Sequence, residues 1–239
     1  MINLICVQKE VNLIVILNHL TMETIVLNSK ATVLNSFLAE IRDKQIQTDP
    51  MRFRQNLIRL GEIFAYEISR RLHYAEKSIL TPLGIAIEKL PQDQLVLAAV
   101  LRAGLPFHEG FLSIFDRAEN CFISAYRKYS TGGDFDIHIE YVSSPEIDGK
   151  TVILCDPMLA SGNSMVLSYQ ALLKIGTPKH VHIATIIASQ DGVDYIEKNI
   201  HSTHVTLWCG AVDEELNAKS YIVPGLGDVG DLAYGKKRE

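Results

Sequence analysis

An unbroken run of seven apolar residues, Leu95–Leu101, constrains the fold of this chain more than any other feature. Such a run is typical of a strand that is buried on both faces of a parallel sheet. Arg102-Ala103-Gly104 follows it, a helix is predicted from Pro106, and a second strand is predicted over 121–126. Together these segments predict a βαβ unit.

The same alternation continues towards the C-terminus. Strands are predicted over 151–155, 181–188 and 205–208, and helices over 164–175 and 193–200. Alternating strands and helices imply an α/β fold, with a mainly parallel central sheet, helices on both faces and right-handed crossovers. In such folds ligands bind beyond the carboxyl ends of the strands, so the residues there are candidates for chemistry.

Two amphipathic helices are predicted before this region. Apolar residues recur at helical spacing from Val33 to Ile41. The second helix is expected to begin at Pro50, because Asp49 can cap free N–H groups and proline suits the first helical position. Its several arginines are expected to form a solvated face, with binding of a partner or effector as the alternative.

Composition excludes several classes of protein. The 239 residues are 47% hydrophobic and 21% charged, which is typical of a globular protein and enough for a sizeable core. The net charge of −5 provides no general attraction for nucleic acid or anionic lipid, so an anionic ligand must be held locally. No apolar run reaches the roughly 18 residues of a membrane span. We therefore expect a soluble, cytoplasmic protein that binds neither nucleic acid nor membrane.

The first 21 residues differ from the rest of the chain. Residues 13–17 imitate the apolar part of a signal peptide, but the run is short and lacks a basic lead-in and a cleavage site. Met22 opens a more ordinary stretch. We predict that 1–21 is an N-terminal extension, either disordered or absent from the native protein, and that 22–239 is a single domain.

The segment 152–164 carries the clearest chemical signal. Pro157 lacks a ladder N–H and disfavours a helical Asp156, so the strand should stop with that carboxylate at the sheet edge. Ser161-Gly162-Asn163-Ser164 then opens a helix, where free N–H groups and the helix dipole favour an anion. This pattern predicts a phosphate cradle beside an acid that can hold ribose hydroxyls. Spacing alone is equally compatible with an Asp-Pro turn before a capped helix.

Asp156-Pro157-Met158-Leu159-Ala160 resembles the phosphoribosyl-diphosphate loop of type I phosphoribosyltransferases, in the form found in the uracil phosphoribosyltransferase family. Leu101-Arg102-Ala103-Gly104-Leu105, Tyr126-Arg127 and the ending 221–231 are similar to the same family, in the same order. The resemblance covers about residues 22–239. In two places the chain departs from the usual pattern: Asn163 replaces a glycine, and Cys155 stands where most of the wider class has a second acid.

The resemblance implies the type I phosphoribosyltransferase fold, with a β-hairpin arm and a C-terminal base-binding loop. It also implies a reaction of pyrimidine salvage, in which uracil and phosphoribosyl diphosphate (PRPP) give UMP and diphosphate. Such a transfer needs positioning and charge stabilisation more than an enzyme nucleophile, because its transition state is oxocarbenium-like. Mg²⁺ would be held through substrate and water, without protein ligands, and GTP is a candidate effector.

Roles for individual residues follow from the same resemblance. The catalytic residues would be Asp156, Arg102 and Arg127. The residues expected to bind PRPP are Arg102, Arg127, Asp156, Pro157, Met158, Leu159, Ala160, Ser161, Gly162, Asn163, Ser164 and Asp228. The residues expected to bind uracil are Ile222, Gly227, Asp228 and Val229. Glycines in this turn leave main-chain groups accessible to the donor and acceptor edge of uracil.

Alternating apolar and polar residues between Tyr126 and Ser143 predict a hairpin arm. We expect this arm to pack on another subunit or fold over the site, and so predict a homodimer or a higher homo-oligomer. A transferase for another base, such as a purine or orotate, is one alternative. A phosphoribosyltransferase-fold regulator that binds RNA is another.

Two further patterns are expected to be misleading. Gly225 to Gly230 fits G-x-G-x-x-G, but no helix and strand are expected after it to complete a dinucleotide fold. The histidine pairs 180/182 and 201/204 lack a third partner, so surface or strand-end positions are expected for them.

Overall fold

The computed structural model describes residues 22–129 and 135–237, and within the strands at 125–129 and 135–138 it describes the backbone alone. The predicted extension 1–21 lies outside the described residues. The strands are β1 (Glu23–Val26), β2 (Tyr74–Thr81), β3 (Gly84–Pro91), β4 (Leu95–Leu101), β5 (Glu119–Tyr129), β6 (Phe135–Ser143), β7 (Thr151–Cys155), β8 (Met158–Leu159), β9 (His180–Ser189), β10 (Val205–Asp213), β11 (Glu215–Leu216) and β12 (Ile222–Val223). The helices are α1 (Val33–Arg42), α2 (Pro50–Ser69), α3 (Leu105–Ile114), α4 (Asn163–Leu173), α5 (Gln190–Asn199) and α6 (Val229–Tyr234), with a short 3₁₀ helix at Leu27–Ser29.

The central sheet has the strand order β1-β10-β9-β7-β4-β5-β6, and β8 adds to β9. Neighbouring strands are parallel except for the pair β5 and β6. The chain passes from β4 outwards to β5 and β6, then returns to the other side of β4 as β7. The carboxyl ends of β4 and β7 therefore meet where the winding reverses, which is where open α/β sheets bind ligands.

Alternate residues of the buried strands enter two separate cores. On β4, Leu97 and Ala99 belong to the core that contains Phe64 of α2 and Phe107 of α3. Val96, Ala98 and Val100 belong to the opposite core. That second core is closed by α4 and α5, through side chains that include Met165, Leu172 and Ile196. The predicted mainly parallel sheet with helices on both faces is confirmed.

Local capping signals proved reliable. Asp49 Oδ1 accepts hydrogen bonds from the N–H groups of Met51 and Arg52, and α2 begins at Pro50 as predicted. The predicted hairpin between Tyr126 and Ser143 is the antiparallel pair β5 and β6, in which Tyr126 lies opposite His138. Its connection at 130–134 lies outside the described residues.

A second hairpin, formed by β2 and β3, was not predicted. It forms a two-stranded sheet separate from the central one. Its side chains at Leu80, Leu83, Ile85 and Ile87 are 84%, 99%, 70% and 57% exposed. The apolar residues of this hairpin pack against no core of the described chain. Its sequence therefore shows no pattern of buried positions from which the two strands could be predicted.

Within the described residues the glycine-rich turn is followed by a helix but by no strand, and the expected position of one histidine was wrong. A helix, α6, does follow the glycine-rich turn, because Asp228 Oδ1 accepts a hydrogen bond from the N–H of Asp231 and caps it. No strand follows α6 within the described residues, so the turn still differs from a dinucleotide fingerprint. His182 lies in the interior at 3% exposure, and Trp208 Nε1 donates to its Nδ1 at 3.2 Å. Burial lowers the pKa of His182 to about 3, so this side chain is neutral.

Within the part of the chain that the structure describes, no helix has both the length and the apolar character that crossing a bilayer requires.

Candidate active site

Asp156 follows β7 directly and is held at the carboxyl edge of the sheet. Its N–H still donates to the carbonyl of Ala184 on β9, at 3.1 Å. Its Oδ1 accepts a weak hydrogen bond from the N–H of Met158, at 3.4 Å. Burial raises the pKa of this carboxyl to about 7, and the Met158 N–H opposes that rise only in part. One carboxyl group near its titration point therefore faces the cleft beyond β7.

The loop after Asp156 is attached along β9 and does not hang free. The carbonyl of Pro157 accepts hydrogen bonds from the N–H groups of Ile186 and Ile187, at 3.1 and 3.0 Å. Met158 and Leu159 then pair with β9 as the short strand β8. This main-chain pairing supplies the rigidity that a phosphate-binding loop needs.

The loop ends at the N-terminus of α4. Gly162 adopts a φ of +81°, and a Cβ there would lie 2.9 Å from Tyr195 Cδ1 and 3.0 Å from the carbonyl of Gly192. Among the described residues no side chain caps α4, so its first N–H groups remain available to an anion. Asn163 is the first helical residue and needs no left-handed backbone, so its replacement of the usual glycine does not strain the loop.

Ser189, the last residue of β9, joins this loop to α5. Its hydroxyl donates to the carbonyl of Ala160 at 2.6 Å and accepts from the N–H of Gly192 at 2.9 Å. Gly192 allows the close approach, because a Cβ there would lie 2.3 Å from the Ala160 oxygen. Sequence patterns did not single out Ser189 or Gly192, although Ser189 does fit an N-cap position.

The glycine-rich segment 225–230, which we call the C-terminal turn, lies on the side of the cleft opposite the loop that follows Asp156. Gly227 has a φ of +99° and lines the cleft together with Asp228 and Val229. Val229 is 2% exposed, and Ile222, at 4%, packs beneath the turn in the core. Asp228 caps α6 through Oδ1, and its other oxygen, Oδ2, lies 4.0 Å from Lys237 Nζ.

Of the two arginines expected at the site, Arg102 is described in full. It follows β4, its side chain is 45% exposed, and its Nη2 lies 3.7 Å from Asp231 Oδ1 on α6. Arg102 itself follows β4, and this ion pair places its guanidinium beside α6, next to the C-terminal turn. Arg127 lies on β5 opposite Ile137 of β6, and its side chain is outside the described atoms.

A cavity of about 170 Å³ lies between the C-terminal turn and the loop 156–164, which we call the phosphate-type loop. The predicted site residues that line it are Asp156, Met158, Leu159, Ala160, Ser161, Gly162, Ser164, Gly227, Asp228 and Val229. It is not lined by Pro157, Asn163, Ile222 or Arg102. Its lining also includes three residues that were not predicted, Met165, Ser220 and Tyr221. Ser220 has a φ of +59°, and the chain turns there towards Tyr221 and β12. In the sequence, only the neighbouring motif residues indicated that Ser220 and Tyr221 lie near the site.

Two other cavities are larger, at about 610 and 570 Å³, but they lie at the amino ends of the central strands. Their linings include the strand starts Leu95, Glu119, Thr151, His180 and Val205. The smaller cavity lies at the carboxyl ends, where a helix N-terminus and the partly buried carboxyl of Asp156 converge. The central sheet is mainly parallel, and the phosphate-type loop lies where the winding of that sheet reverses. This combination of fold and site defines the chain as a type I phosphoribosyltransferase.

Comparisons with known proteins specify the branch of this class. A family model described as uracil phosphoribosyltransferase matches residues 28–236, and the chain belongs to that family. It is 55% identical over 216 residues to a uracil phosphoribosyltransferase from Porphyromonas gingivalis, covering 90% of this chain and 100% of the relative. It is 39% identical over 206 residues to one from Methanothermobacter thermautotrophicus, covering 85% and 92%.

A solved structure also resembles the whole fold. The AQ2163 protein from Aquifex aeolicus matches with a TM-score of 0.79 and 32% sequence identity, over 89% of this chain and 98% of that chain. The fold class and the family resemblance drawn from the sequence are both confirmed.

Proposed function

We propose that the cleft between the loop after β7 and the C-terminal turn carries out the reaction of this family. The enzyme transfers the 5-phosphoribosyl group of PRPP to uracil and releases UMP and diphosphate, a reaction of pyrimidine salvage. One observation supports this placement most: a single cavity is lined both by the loop at the N-terminus of α4 and by the glycine turn before α6. A phosphate and a base that belong to one nucleotide would thus bind on facing walls.

The 5′-phosphate of PRPP is proposed to bind the loop 160–164. The free N–H groups at the start of α4 and the positive end of its dipole suit a phosphate, and Gly162 lets the main chain approach closely. The Asp156 carboxylate would accept hydrogen bonds from the ribose hydroxyls. Arg102 and Arg127 would bind the diphosphate, whose oxygens gain charge as the bond to the ribose breaks.

Uracil is proposed to bind the turn that contains Gly227, Asp228 and Val229. Main-chain donors directed at the uracil carbonyls would stabilise the negative charge of the attacking base, and would disfavour cytosine, whose edge differs in donors and acceptors. Ile222 would act from the core beneath this turn, because it is buried there.

Magnesium is proposed to arrive with the diphosphate. No cluster of three or more histidine, cysteine or acidic side chains suited to a metal occurs among the described residues. With Asp156 as the lone carboxyl of the loop, the residues present fit a Mg²⁺ ion that is held mainly by substrate oxygens and water. When bound, the ion would neutralise charge on the diphosphate.

The remaining proposals concern partners and setting. We propose a homodimer or higher homo-oligomer, supported by the exposed apolar residues of the β2–β3 hairpin as well as by the predicted arm. GTP is proposed as an effector, to be tested by assays with and without it. The free, buried thiols of Cys121, Cys155 and Cys209 support a cytoplasmic setting.

A base panel tests the proposed function. Purified protein is mixed with Mg²⁺, PRPP and, separately, uracil, cytosine, orotate, hypoxanthine and adenine, and nucleotide formation is followed. We expect UMP from uracil and no nucleotide from the other bases. Asp156→Asn should reduce UMP formation by at least about 100-fold, because the amide cannot replace a carboxylate at the ribose.

The matched control is Asp116→Asn, an exposed acid at the opposite edge of the sheet, which should keep wild-type activity. Product from a different base, or full activity in Asp156→Asn, would contradict the proposal.

A further inference from the structure

A partly buried ion pair holds both main-chain polar groups of Gly225. Arg42, in the last turn of α1, donates from Nη1 and Nη2 to the two carboxylate oxygens of Asp213, each at 2.7 Å. Arg42 Nη1 also donates to the carbonyl of Gly225 at 2.9 Å. The N–H of Gly225 donates to Asp213 Oδ2, again at 2.9 Å. The three residues form a closed ring of charge-assisted hydrogen bonds.

This ring lies immediately beneath the proposed uracil site. Gly225 stands between Ile222 and Gly227, and its φ of +54° suits glycine. A Cβ at this position would lie 2.1 Å from the carbonyl of Ile222, so the turn has no room for another residue. Asp213 is 8% exposed and Arg42 23%, so water competes little for these hydrogen bonds.

The partner strand holds the other wall of the cleft in a similar way. Asp213 ends β10 and lies opposite Ser189, which ends β9. Ser189 bonds to Ala160 of the phosphate-type loop, while Asp213 bonds to Gly225 of the C-terminal turn. Two neighbouring strand ends therefore set the separation between the two walls.

We propose that Arg42 and Asp213 are positioning residues for the base. They hold the turn that contains Gly227 and Asp228 at a fixed distance from the phosphate-type loop. At this distance, uracil bound to the turn reaches the ribose. Neither residue lines the cavity, so both act through Gly225. This inference rests on the proposed function, because it assigns uracil to the turn.

Arg42→Lys is the primary test, because lysine keeps the charge but lacks the planar fork that bonds Asp213 and Gly225 together. We expect the KM for uracil to rise about tenfold while the KM for PRPP changes by less than about twofold. The matched control is Arg52→Lys, since Arg52 bonds both oxygens of Glu40 at 2.9 and 2.6 Å on the surface, away from the turn. The control should leave both constants unchanged.

The double variant Arg42→Met/Asp213→Leu guards against misfolding, because it leaves no unpaired charge in the interior. It should raise the KM for uracil at least as much as Arg42→Lys does. Backbone hydrogen exchange of 222–230 gives a readout that does not depend on activity, and exchange there should be faster in both variants than in Arg52→Lys.

The outcomes separate the two proposals. A wild-type protein that makes no UMP overturns the proposed function, while faster exchange at 222–230 still supports the positioning of the turn. An unchanged KM for uracil in both variants overturns the inference, as does an equal rise in both constants, which would indicate general loosening.

Discussion

Asp156 is partly buried, whereas its proposed role at the ribose requires the charged form of the carboxyl group. Ribose hydroxyls are held best by a carboxylate, yet burial disfavours the ionised form and raises the pKa of this carboxyl from 3.8 to about 7. The folded protein therefore binds a proton here at pH values where the unfolded chain does not. The group favours the folded state fully below about pH 4, and this contribution is lost as the pH rises to 7.

Asp156→Asn should therefore stabilise the protein at alkaline pH although it removes activity. At pH 8 the free energy of unfolding should exceed that of the wild type by about 1–3 kcal/mol, because no buried charge remains. At pH 4 the two proteins should be equally stable. Denaturant unfolding at both pH values measures this difference. The control Asp116→Asn, at an exposed position, should stay within about 0.5 kcal/mol of the wild type at both pH values. An Asp156→Asn difference that is the same at pH 4 and pH 8 would contradict the explanation.

Gly162 and Gly149 form a matched pair, because both have a positive φ, of +81° and +69°. A Cβ at Gly149 meets nothing within 4 Å, whereas at Gly162 it meets Tyr195 and the carbonyl of Gly192. Gly149→Ala should cost about 1 kcal/mol of stability, through backbone strain alone, and leave the KM for PRPP unchanged. Gly162→Ala should cost more and also raise the KM for PRPP about tenfold, since the loop must shift. Equal effects of both variants on this KM would argue against a phosphate role for the loop.

At the scale of elements, the carboxyl ends of β9 and β10 hold the two walls of the cleft in place. Ser189 serves two elements at once, as it caps α5 and bonds the loop at Ala160. Ser113 is the matched serine away from the cleft: its hydroxyl lies 2.8 Å from the carbonyl of Gly110 in α3 and 3.4 Å from Glu62 Oε1 in α2. A comparison of the two serines therefore isolates the effect on the loop.

Ser189→Ala should lower stability by about 1 kcal/mol, as expected for a lost N-cap, and raise the KM for PRPP severalfold. The KM for uracil should change little, because the C-terminal turn is held by β10. Steady-state kinetics with each substrate varied in turn provides the measurement. Ser113→Ala should leave both constants unchanged, and a rise in the uracil constant alone in Ser189→Ala would contradict this division between the strands.

At the scale of the whole molecule, the β2–β3 hairpin carries the three most exposed large apolar side chains among the described residues, Leu83, Leu80 and Ile85. Leu80 and Leu83 are 84% and 99% exposed near its tip. Each would contribute about 1.5–3 kcal/mol on full burial, so association that covers them is favourable. A second copy of the chain is the proposed partner.

We expect light scattering to give at least a dimer at micromolar concentration. The double variant Leu80→Lys/Leu83→Lys should shift the protein towards monomer, because it places charge where apolar contact is proposed. Val33→Lys is the control, since Val33 is 61% exposed on α1, away from the hairpin. A monomeric wild type, or a double variant with an unchanged assembly, would contradict the proposal.

Much of the molecule followed from local patterns. The apolar run of β4, the Asp49-Pro50 helix start and the segment 156–164 each carry their signal in adjacent residues, so the strands, the cap and the phosphate-type loop were predicted close to their observed positions. The hairpin β2–β3 was missed because burial patterns presuppose a core, and this element packs on none within the described chain.

Contacts between distant residues were decided by tertiary structure alone. Arg42 lies 171 residues from Asp213 and 183 from Gly225, and these three meet only because α1 packs near the end of β10. The order of strands in the sheet sets which loops become neighbours, and no local spacing encodes that order. The sequence by itself determined the elements that carry a local signal, the family and the candidate binding residues. The fold decided which residues hold them in place, because positioning depends on long-range packing.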